Sequence, residues 1–469
     1  MTAKWGQTTA RGIIPSIDGE LIAGNPESPL MGISTDSREI SPGQFFWALK
    51  GERYDGHDFV KKAVEKGASG IVIKKGYRPE IPTDRDLVII AVEDTLKALG
   101  DLAGWWRHQH DVRVAAITGS VGKTTTKEMT ANILELDART LKNSGNLNNL
   151  VGLPLTILQM EENHRRAVLE MGMNRPGEIA RLTEIADPDI GLITNVARAH
   201  IEGVGNISGV AKAKAELLEK ISPESQVILN GDDELLMRVA SQFPKKIMTY
   251  GLGSRNDIRA ENILNLGRDG FSFDLRYQEN SVPIRLRSPG LQNVFNALAA
   301  SSIAICLEEP YDRIVEGLYG FRGIKGRFTL NTLPGGITLV DDTYNSNPSS
   351  LRAAIDSVKA LMVNGGRVII GLGEMLELGD ETVPAHIEAG GMVAELGVYY
   401  FVAMGEHAPE MIKGAITSGF SRDRAVVVNT HEEMGEKIRE IMKKGDLILL
   451  KGSRGMALEK VSKILKNGS

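Results

Sequence analysis

The sequence of 469 residues contains a single cysteine, Cys306, and almost no excess of either charge. One cysteine excludes an internal disulfide and a metal site built from several thiolates, and its apolar neighbours favour a small core residue. Lys and Arg number 55 and Asp and Glu 60, which gives a net charge of −5. Because so small an imbalance does not attract a polyanion over the whole surface, we expect no nucleic-acid partner.

Long apolar runs are also missing. No stretch approaches the roughly 18 residues that a membrane span needs. The first residues carry Lys4 and Arg11 without a following apolar block. No internal repeat or low-complexity tract divides the chain. We therefore expect a cytoplasmic protein without a membrane span, and a monomer.

The length exceeds what one hydrophobic core usually supports and favours about three domains. Changes of pattern place them at residues 1–108, 109–329 and 330–469. The first mixes short apolar runs with turn-rich segments and predicts a small α/β domain. The second opens with the β-branched run Val112 to Ile117, followed by a glycine turn and a helix-favouring stretch. That pattern indicates a mainly parallel sheet of the type found in ATPases with a phosphate-binding loop.

The third domain alternates strand-like and helix-like segments. Apolar runs separated by helix-length segments recur at 337–340, 368–371, 399–403, 425–428 and 447–450. This alternation predicts an open, mainly parallel, doubly wound sheet of the Rossmann-like kind. In the second domain, alternating apolar residues between Ile258 and Leu286 predict antiparallel strands added to the central sheet.

A phosphate-binding loop is indicated between the first strand and helix of the second domain. The segment reads Thr118-Gly119-Ser120-Val121-Gly122-Lys123-Thr124-Thr125. Glycines let backbone N–H groups turn onto phosphates, the lysine neutralises the β and γ charge, and a threonine hydroxyl can reach Mg²⁺. Ile117 stands where the general pattern has glycine, so the loop is a shorter variant. The residues predicted to bind ATP here are Gly119, Ser120, Val121, Gly122, Lys123, Thr124 and Thr125.

Candidate metal ligands follow two later strand-like runs. Glu170 ends the apolar run around Leu169, and His200 closes the segment after the run Ile190 to Val196. Both would stand at strand ends that face the phosphate loop. Carboxylate oxygen suits Mg²⁺, whereas an isolated histidine is more often structural or a hydrogen-bond donor.

Together these features resemble the Mur ligases, the ATP-dependent amide ligases that build the peptide of the bacterial cell-wall precursor. The segment Gly145 to Asn149 is similar to an Asn-rich motif of that family and places Asn146, Asn148 and Asn149 on substrate. The resemblance implies Mg²⁺ ligation by Thr124, Glu170, His200 and a lysine carbamylated by CO₂. By its distance after His200 this lysine is Lys214, with Lys212 as the alternative, although both could simply face solvent on a helix.

The family's adenine-binding motif, G-x-H-N-x-x-N-x-x-A-A, is similar to residues 290–300. Gln292 replaces the usual histidine, while Asn293 and Asn296 are kept and are implied to bind the nucleotide. Arg327, in a Gly-Arg-Phe triplet, is implied to approach the phosphates.

The next family motif corresponds to Asp341-Asp342-Thr343-Tyr344-Asn345-Ser346-Asn347-Pro348. Asp342 would orient Arg327 or the nucleotide ribose, or would cap the following helix. The substrate-binding residues implied in this motif are Tyr344, Asn345 and Asn347.

The first domain carries three segments that resemble a uridine-nucleotide-binding domain of the family, at 34–38, 42–51 and 55–59. Hydroxyl and guanidinium groups suit a diphosphate. The residues implied to bind the UDP-linked substrate are Ser37, Arg38, Asp55 and His57.

Two segments of the third domain indicate which amino compound is added. Residues 371–379 resemble G-x-M-x-E-L-G, and residues 451–454 match K-G-S-R, both found in members that add D-alanyl-D-alanine. The substrate-binding residues implied here are Glu377, Lys451 and Ser453. The D-N-P-R tetrapeptide of the diaminopimelate-adding members does not occur in the sequence.

The resemblance implies an enzyme that uses ATP and Mg²⁺ to join D-alanyl-D-alanine to UDP-N-acetylmuramoyl-tripeptide through an acyl phosphate. The residues implied in catalysis are Lys123, Lys214, His200 and Arg327. Two alternatives stay open: the ligase that adds the third residue, and a nucleotide switch without ligase activity. The absence of an N-K-x-D tetrapeptide argues against GTP.

Overall fold

A computed structural model of the chain describes residues 4–80, 86–199, 201–362 and 366–467. Of the residues assigned to a site from the sequence, His200 alone lies outside these ranges. The strands form three sheets that follow one another along the chain, as expected for three α/β domains. In the described ranges we find no helix with the length and apolar character needed to cross a membrane.

The first sheet and its helices form the part that we call the N-terminal unit. Its strands are β1 (Glu20–Ala23), β2 (Ile33–Ser34), β3 (Phe45–Trp47), β4 (Gly70–Lys74) and β5 (Val88–Val92). Its helices are α1 (Ala10–Ile13), α2 (Val60–Glu65) and α3 (Thr95–His108). The order is β1-β5-β4-β3-β2, with only β1 antiparallel to its neighbour among these strands. The strands β4 and β5 are rich in β-branched residues, as is typical of parallel strands buried on both faces.

Helix α3 joins the N-terminal unit to the next part of the chain. The Asp94 side chain caps it by accepting hydrogen bonds from two backbone N–H groups. Trp47 Nε1 donates to the Thr95 carbonyl at 2.7 Å. At the other end, Trp106 Nε1 donates to the Met160 carbonyl at 3.2 Å. One apolar cluster therefore runs from the first sheet through α3 into the central part, and this burial fixes the two parts against each other.

The second sheet, with its helices, forms the central unit. Its strands are β6 (Arg113–Thr118), β7 (Thr140–Lys142), β8 (Arg166–Glu170), β9 (Ile190–Ile193), β10 (Gln226–Asn230), β11 (Ile247–Gly251), β12 (Ile258–Asn265), β13 (Phe271–Tyr277) and β14 (Asn280–Leu286). Its helices are α4 (Lys123–Leu134), α5 (Gly152–Ile157), α6 (Glu178–Ala186), α7 (Ile201–Val204), α8 (Ile207–Lys220), α9 (Glu234–Ala240), α10 (Gln292–Cys306) and α11 (Tyr311–Gly320).

The strand order of the central sheet is β14-β13-β12-β11-β10-β9-β6-β8-β7. The seven strands β6 to β12 run parallel to one another. The strands β13 and β14 are antiparallel additions, as the alternation in the sequence predicts. The strand β6 lies between β8 and β9, which run parallel to it. The loop after β6 therefore begins between the ends of these two neighbouring strands. Such a position in an α/β sheet is where ligands bind.

The third sheet and its helices form the C-terminal unit. Its strands are β15 (Thr329–Leu333), β16 (Ile337–Asp342), β17 (Val368–Gly373), β18 (Tyr400–Met404), β19 (Ala425–Val428) and β20 (Leu447–Lys451). Its helices are α12 (Pro348–Leu361), α13 (Thr382–Leu396), α14 (Ala408–Thr417), α15 (His431–Ile441) and α16 (Glu459–Asn467). The order is β15-β16-β20-β17-β18-β19, and only β15 is antiparallel among these strands.

The C-terminal sheet is covered on both faces, because separate apolar clusters form from its alternate residues and the adjoining helices. This confirms the predicted Rossmann-like architecture. Helix α12 begins with a capping box between Asn347 and Ser350, with Pro348 in its first turn. The domain boundaries assigned at residues 108 and 329 stay predictions.

The helices α13 and α14 approach each other at two glycines. A Cβ atom on Gly390 would lie 1.9 Å from the Met411 carbonyl oxygen, and one on Gly414 would lie 2.0 Å from the Ile387 carbonyl oxygen. At Gly391, in the same helix, the nearest atom is the Ser418 hydroxyl oxygen at 3.3 Å. The close contact of the two helices therefore depends on Gly390 and Gly414.

We expect Gly390→Ala to lower the free energy of unfolding by about 1–3 kcal/mol or more, because the methyl group overpacks the contact. Gly391→Ala is the matched control, and should be neutral or raise that free energy by up to about 1 kcal/mol through helix propensity. Urea unfolding followed by circular dichroism measures both. Equal midpoints for the two variants would contradict the close approach.

Candidate active site

A cavity of about 1080 Å³ opens where the three units meet. The N-terminal unit contributes Gly51, Glu52 and Leu96 to its wall. Most of the residues assigned from the sequence lie on the same wall, namely Ser120, Val121, Gly122, Lys123, Thr124, Thr125, Asn146, Asn148, Asn149, Glu170, Asn293, Asn296, Arg327, Asp342, Tyr344, Asn345, Asn347, Glu377, Lys451 and Ser453. The fold thus brings segments more than 300 residues apart in sequence around one space.

The loop between β6 and α4 requires its two glycines. Gly119 has φ of +141° and Gly122 has φ of +92°, conformations that other residues rarely adopt. A Cβ atom on Gly119 would lie 1.8 Å from the Thr194 hydroxyl oxygen, and one on Gly122 would lie 2.4 Å from Asn296 Oδ1. The loop therefore has neither the backbone conformation nor the space for larger residues.

Residues after β9 hold the loop in place. Thr194 Oγ1 donates to the Val121 carbonyl at 2.7 Å. The Val121 N–H donates to Asn195 Oδ1 at 3.0 Å, and the Ser120 N–H donates to the Asn195 carbonyl at 3.0 Å. The apolar run Ile190 to Val196 predicts a strand that includes Thr194 and Asn195, but β9 ends at Ile193. Their polar character at the end of an apolar run was the signal for this supporting role.

The Lys123 side chain curls over the loop. Its Nζ donates to the Gly119 carbonyl at 2.7 Å. Burial lowers the pKa of the Lys123 ammonium, the nearby Glu170 carboxylate opposes that shift, and the Arg327 charge adds to it. The amine thus lies beside the backbone that would cradle phosphates, where an anionic ligand would favour its charged form.

A chain of hydrogen bonds joins the loop to the ends of two other segments. Thr124 Oγ1 donates to Glu170 Oε2 at 2.8 Å, and Asn148 Nδ2 donates to Glu170 Oε1 at 2.9 Å. Arg327, from the segment before β15, donates to Thr124 Oγ1 at 2.8 Å. Hydroxyl and carboxylate oxygens thus lie side by side at the cavity, and such oxygens are the ligands that hard cations prefer.

Asn143 fixes the backbone of Glu170, and the sequence analysis missed it. Its Oδ1 accepts from the Glu170 N–H at 2.8 Å, and its Nδ2 donates to the Glu170 carbonyl at 2.8 Å. The residue is 1% exposed. Lys127, also buried, donates from Nζ to the Asn143 carbonyl at 2.5 Å. The only signal in the sequence was an asparagine two residues before Gly145.

The two candidate lysines lie on different faces of helix α8. Lys214 is 1% exposed, whereas Lys212 lies on the exposed face of the helix. Burial, and to a smaller extent the charge of Lys123, lowers the pKa of the Lys214 amine well below its usual range. Of the two, Lys214 is therefore the one that faces the interior beside the phosphate loop.

The asparagines of α10 connect the loop to the start of their own helix. Asn293 Nδ2 donates to the Pro289 carbonyl at 2.7 Å, and Asn296 Nδ2 donates to Asn293 Oδ1 at 3.1 Å. Gln292, which replaces the family's histidine, accepts a hydrogen bond at 2.8 Å from the Ser357 hydroxyl of α12. Gln292 thus bridges the central and C-terminal units.

Asp342 orients the segment that carries Arg327. Its Oδ1 accepts from the Phe328 N–H at 3.0 Å, and its Oδ2 accepts from Lys451 Nζ at 2.6 Å. The Arg327 guanidinium lies over the Tyr344 ring, 4.1 Å from its centroid. Asn347, not Asp342, caps α12. The capping role considered for Asp342 is therefore wrong, and its effect on Arg327 passes through the backbone of the next residue.

Ser453 connects two motifs of the C-terminal unit. Its hydroxyl accepts from the Leu376 N–H at 2.9 Å and donates to the Ser346 carbonyl at 3.2 Å. Beside this contact, Glu377 adopts a positive φ of +64°, and its carbonyl accepts from the Glu202 N–H of the central unit at 3.3 Å. The segment that carries Glu377 therefore touches both units.

The predicted residues of the N-terminal unit, Ser37, Arg38, Asp55 and His57, are not on the cavity wall. His57 Nδ1 lies 2.6 Å from Asp55 Oδ1, and its Nε2 accepts from the Lys74 N–H at 3.0 Å. Arg38 forms a bidentate pair with Asp36, and its hydrogen bonds lower the pKa of that carboxyl to about 2. Asp55 and His57 thus support local structure, and their assignment to a substrate stays a prediction.

Three family models match consecutive parts of the chain. They are the Mur ligase family, catalytic domain at residues 29–107, the Mur ligase middle domain at 117–304, and the Mur ligase, glutamate ligase domain at 326–454. A UDP-N-acetylmuramoyl-tripeptide--D-alanyl-D-alanine ligase of Bacillus subtilis is 35% identical over 460 residues, 97% of this chain and 98% of that protein. The ligase of the same name from Escherichia coli is 35% identical over 443 residues, 94% of this chain and 95% of that protein.

Solved structures agree with these relatives. MurF from Acinetobacter baumannii is 32% identical, with a TM-score of 0.89 and 100% of both chains covered. MurF from Thermotoga maritima in complex with ADP is 26% identical, with a TM-score of 0.81 over 92% of this chain and 96% of that one. Sequence similarity and fold thus extend over all three units, and the chain belongs to the Mur ligase family.

Proposed function

We propose that the chain is an ATP-dependent ligase that joins D-alanyl-D-alanine to UDP-N-acetylmuramoyl-tripeptide in peptidoglycan precursor synthesis. The observation that carries this function is the shared cavity, because the phosphate loop and the C-terminal residues Glu377 and Ser453 line one space. An activated acid formed at the loop could therefore meet an amine held by the C-terminal unit. Relatives that match almost the full length carry the name of this ligase.

The reaction requires activation, because a carboxylate is a poor acylating agent. The terminal carboxylate of the tripeptide attacks the γ-phosphorus of ATP, which gives an acyl phosphate and ADP. The amine of the dipeptide then attacks the acyl carbon, phosphate leaves with the bonding electron pair, and the amine loses a proton. Lys123 and Arg327 supply fixed positive charge beside the transferred phosphoryl group, and such preorganised charge is the main means of catalysis for this chemistry.

The residues at the loop fit a magnesium ion. Thr124 Oγ1 and Glu170 Oε2 are oxygen donors 2.8 Å apart at the cavity. Mg²⁺ retains several waters and needs few protein ligands. In the described ranges no group of three or more His, Cys, Asp or Glu side chains is placed to hold a metal ion. When bound, Mg²⁺ would neutralise phosphate charge, and His200 is proposed as a further ligand.

Lys214 is proposed to be carbamylated. Its buried amine, with a pKa well below the usual range, is held toward the neutral form that attacks CO₂. The nitrogen forms a bond to the carbon and releases a proton, so the neutral amine becomes an anionic carbamate. Near the phosphate loop an anionic oxygen would suit Mg²⁺ better than an ammonium group does.

The remaining assignments are proposals on the same basis. The UDP-linked substrate is assigned to the N-terminal unit, where Ser37, Arg38, Asp55 and His57 would bind it. A monomer is sufficient because all walls of the cavity come from one chain. The cytoplasm is the proposed location because ATP is consumed.

Product analysis tests the proposed reaction. Incubation with ATP, Mg²⁺, D-alanyl-D-alanine and a UDP-linked tripeptide, ending in either lysine or diaminopimelate, should give a UDP-linked pentapeptide by mass spectrometry. Phosphate release should require both the tripeptide and the dipeptide. Phosphate release that is independent of both compounds would identify a nucleotide switch and contradict the ligase activity.

We expect Lys123→Ala to reduce turnover on the order of 10²-fold or more, because a preorganised charge beside the transferred group is lost. Its thermal unfolding should stay close to that of the wild type, because the side chain faces the cavity. The control is Lys212→Ala, which removes an exposed lysine of α8. Near-normal turnover of Lys123→Ala would show that the loop does not act on phosphate.

Carbon-13-labelled bicarbonate tests the modified lysine. We expect one carbamate signal in the NMR spectrum of the wild type and of Lys212→Ala, and none in Lys214→Ala. The reason is that Lys214 is buried, which favours its neutral amine, whereas Lys212 lies on the exposed face of α8. A signal that persists in Lys214→Ala and disappears in Lys212→Ala would reverse the assignment.

A further inference from the structure

The segment between β17 and α13 forms part of the cavity wall through Leu376, Glu377 and Leu378. Its first residues have neither helical nor strand structure. Two successive backbone N–H groups hold it. The Met375 N–H donates to His386 Nε2 at 3.0 Å, and the Leu376 N–H donates to the Ser453 hydroxyl at 2.9 Å. The His386 and Ser453 side chains, both outside the segment, therefore help to fix its position.

His386 lies on α13 and is completely buried. Its Nδ1 is 2.6 Å from the Thr382 carbonyl oxygen, one helical turn earlier. A carbonyl oxygen only accepts hydrogen bonds, so Nδ1 must carry the proton. Nε2 is then left with a lone pair for the Met375 N–H. Only the neutral ring with its proton on Nδ1 satisfies both contacts.

Three titratable groups surround this ring. The His407 ring lies 5.2 Å away between centroids, and the Glu374 and Glu410 carboxylates also act on His386. Burial lowers the pKa of His386 below its usual value, the bond to Thr382 and the two carboxylates oppose the shift, and His407 adds to it. The ring is thus neutral at neutral pH. As the pH falls through this lowered pKa, a proton on Nε2 would remove the acceptor of the Met375 N–H.

The Glu377 backbone adopts a conformation that is unfavourable for residues other than glycine. Its φ of +64° is in the left-handed region, where residues other than glycine are uncommon. Such a conformation persists only when the surroundings impose it. The hydrogen bonds at Met375 and Leu376 lie directly before it in the chain, and the Glu377 carbonyl accepts from the Glu202 N–H.

We propose that His386 is a positioning residue for the amine substrate, whose neutral ring fixes residues 374–378 and thereby places the Glu377 side chain in the cavity. This inference rests on the proposed function, in which Glu377 contacts D-alanyl-D-alanine. The phosphate loop belongs to a different unit and has its own supports at Thr194 and Asn195. Loss of the His386 contact therefore acts on the dipeptide and not on ATP.

Two substitutions separate the hydrogen bond from the bulk of the ring. His386→Leu keeps a buried side chain but has no acceptor, so the Met375 N–H is left unpaired. We expect the KM for D-alanyl-D-alanine to rise on the order of tenfold, with the KM for ATP unchanged. His386→Gln can place its amide oxygen near the position of Nε2 and does not titrate. It should keep the dipeptide KM within about threefold of the wild type at neutral pH, because the acceptor is retained.

The pH profile gives a readout that a merely structural role would not change. In the wild type, the dipeptide KM should rise as the pH falls through the lowered pKa of His386. In His386→Gln this acid rise should be absent. Hydrogen exchange at the Met375 amide provides a second readout, and should be faster in His386→Leu than in the wild type or His386→Gln.

His164 provides the matched control. It is also buried, burial also lowers its pKa, and its Nδ1 accepts a backbone N–H, that of Glu161, at 3.0 Å. It is not on the cavity wall. His164→Leu should lower the melting temperature without changing either KM.

The outcomes separate this inference from the proposed function. If phosphate release by the wild type does not need the dipeptide, the proposed function fails first. If it does need the dipeptide, but His386→Leu leaves both KM values unchanged or raises them equally, the positioning role is overturned. If His386→Leu does not fold, the test is made with His386→Gln. A rise of its dipeptide KM at acid pH equal to that of the wild type would then overturn the role.

Discussion

The hydrogen-bond chain from Asn148 through Glu170 and Thr124 to Arg327 is the constraint on which the site depends. It joins the end of β8, the start of α4 and the segment before β15. Glu170 is 3% exposed, and a carboxylate so deeply buried is costly unless its oxygens are paired. Each partner therefore fixes the others, and the phosphate loop, the candidate metal ligands and the arginine take up one arrangement.

Polar contacts join the central and C-terminal units in the part of the chain that the structure describes. They include the ion pair of Arg198 with Glu388 at 2.6 Å and the hydrogen bond of Gln292 with Ser357. Partly exposed ion pairs contribute little to stability. The N-terminal unit differs, because α3 shares one apolar cluster with the central sheet. Substrates could therefore enter between the central and C-terminal units, and the cavity could close there.

Periodicity and the phosphate-loop motif were enough to predict the α/β fold and the loop, whereas most of the cavity wall was predicted from the resemblance to the Mur ligases. Strand runs and glycine positions are local properties that the sequence displays directly. The supports at Asn143 and His386 could not be found in this way, because each acts on a residue that only the fold brings near. Asp55 and His57 contact each other and the Lys74 N–H of β4, and their substrate role stays a prediction.

The most direct test of the central claim is a crystal structure of the protein with a non-hydrolysable ATP analogue and Mg²⁺. The β and γ phosphates should lie on the backbone N–H groups of residues 119–125, with Lys123 turned from the Gly119 carbonyl to the phosphates and the metal beside Thr124 and Glu170. A nucleotide bound elsewhere, with this loop unchanged, would contradict the function proposed for the whole cavity.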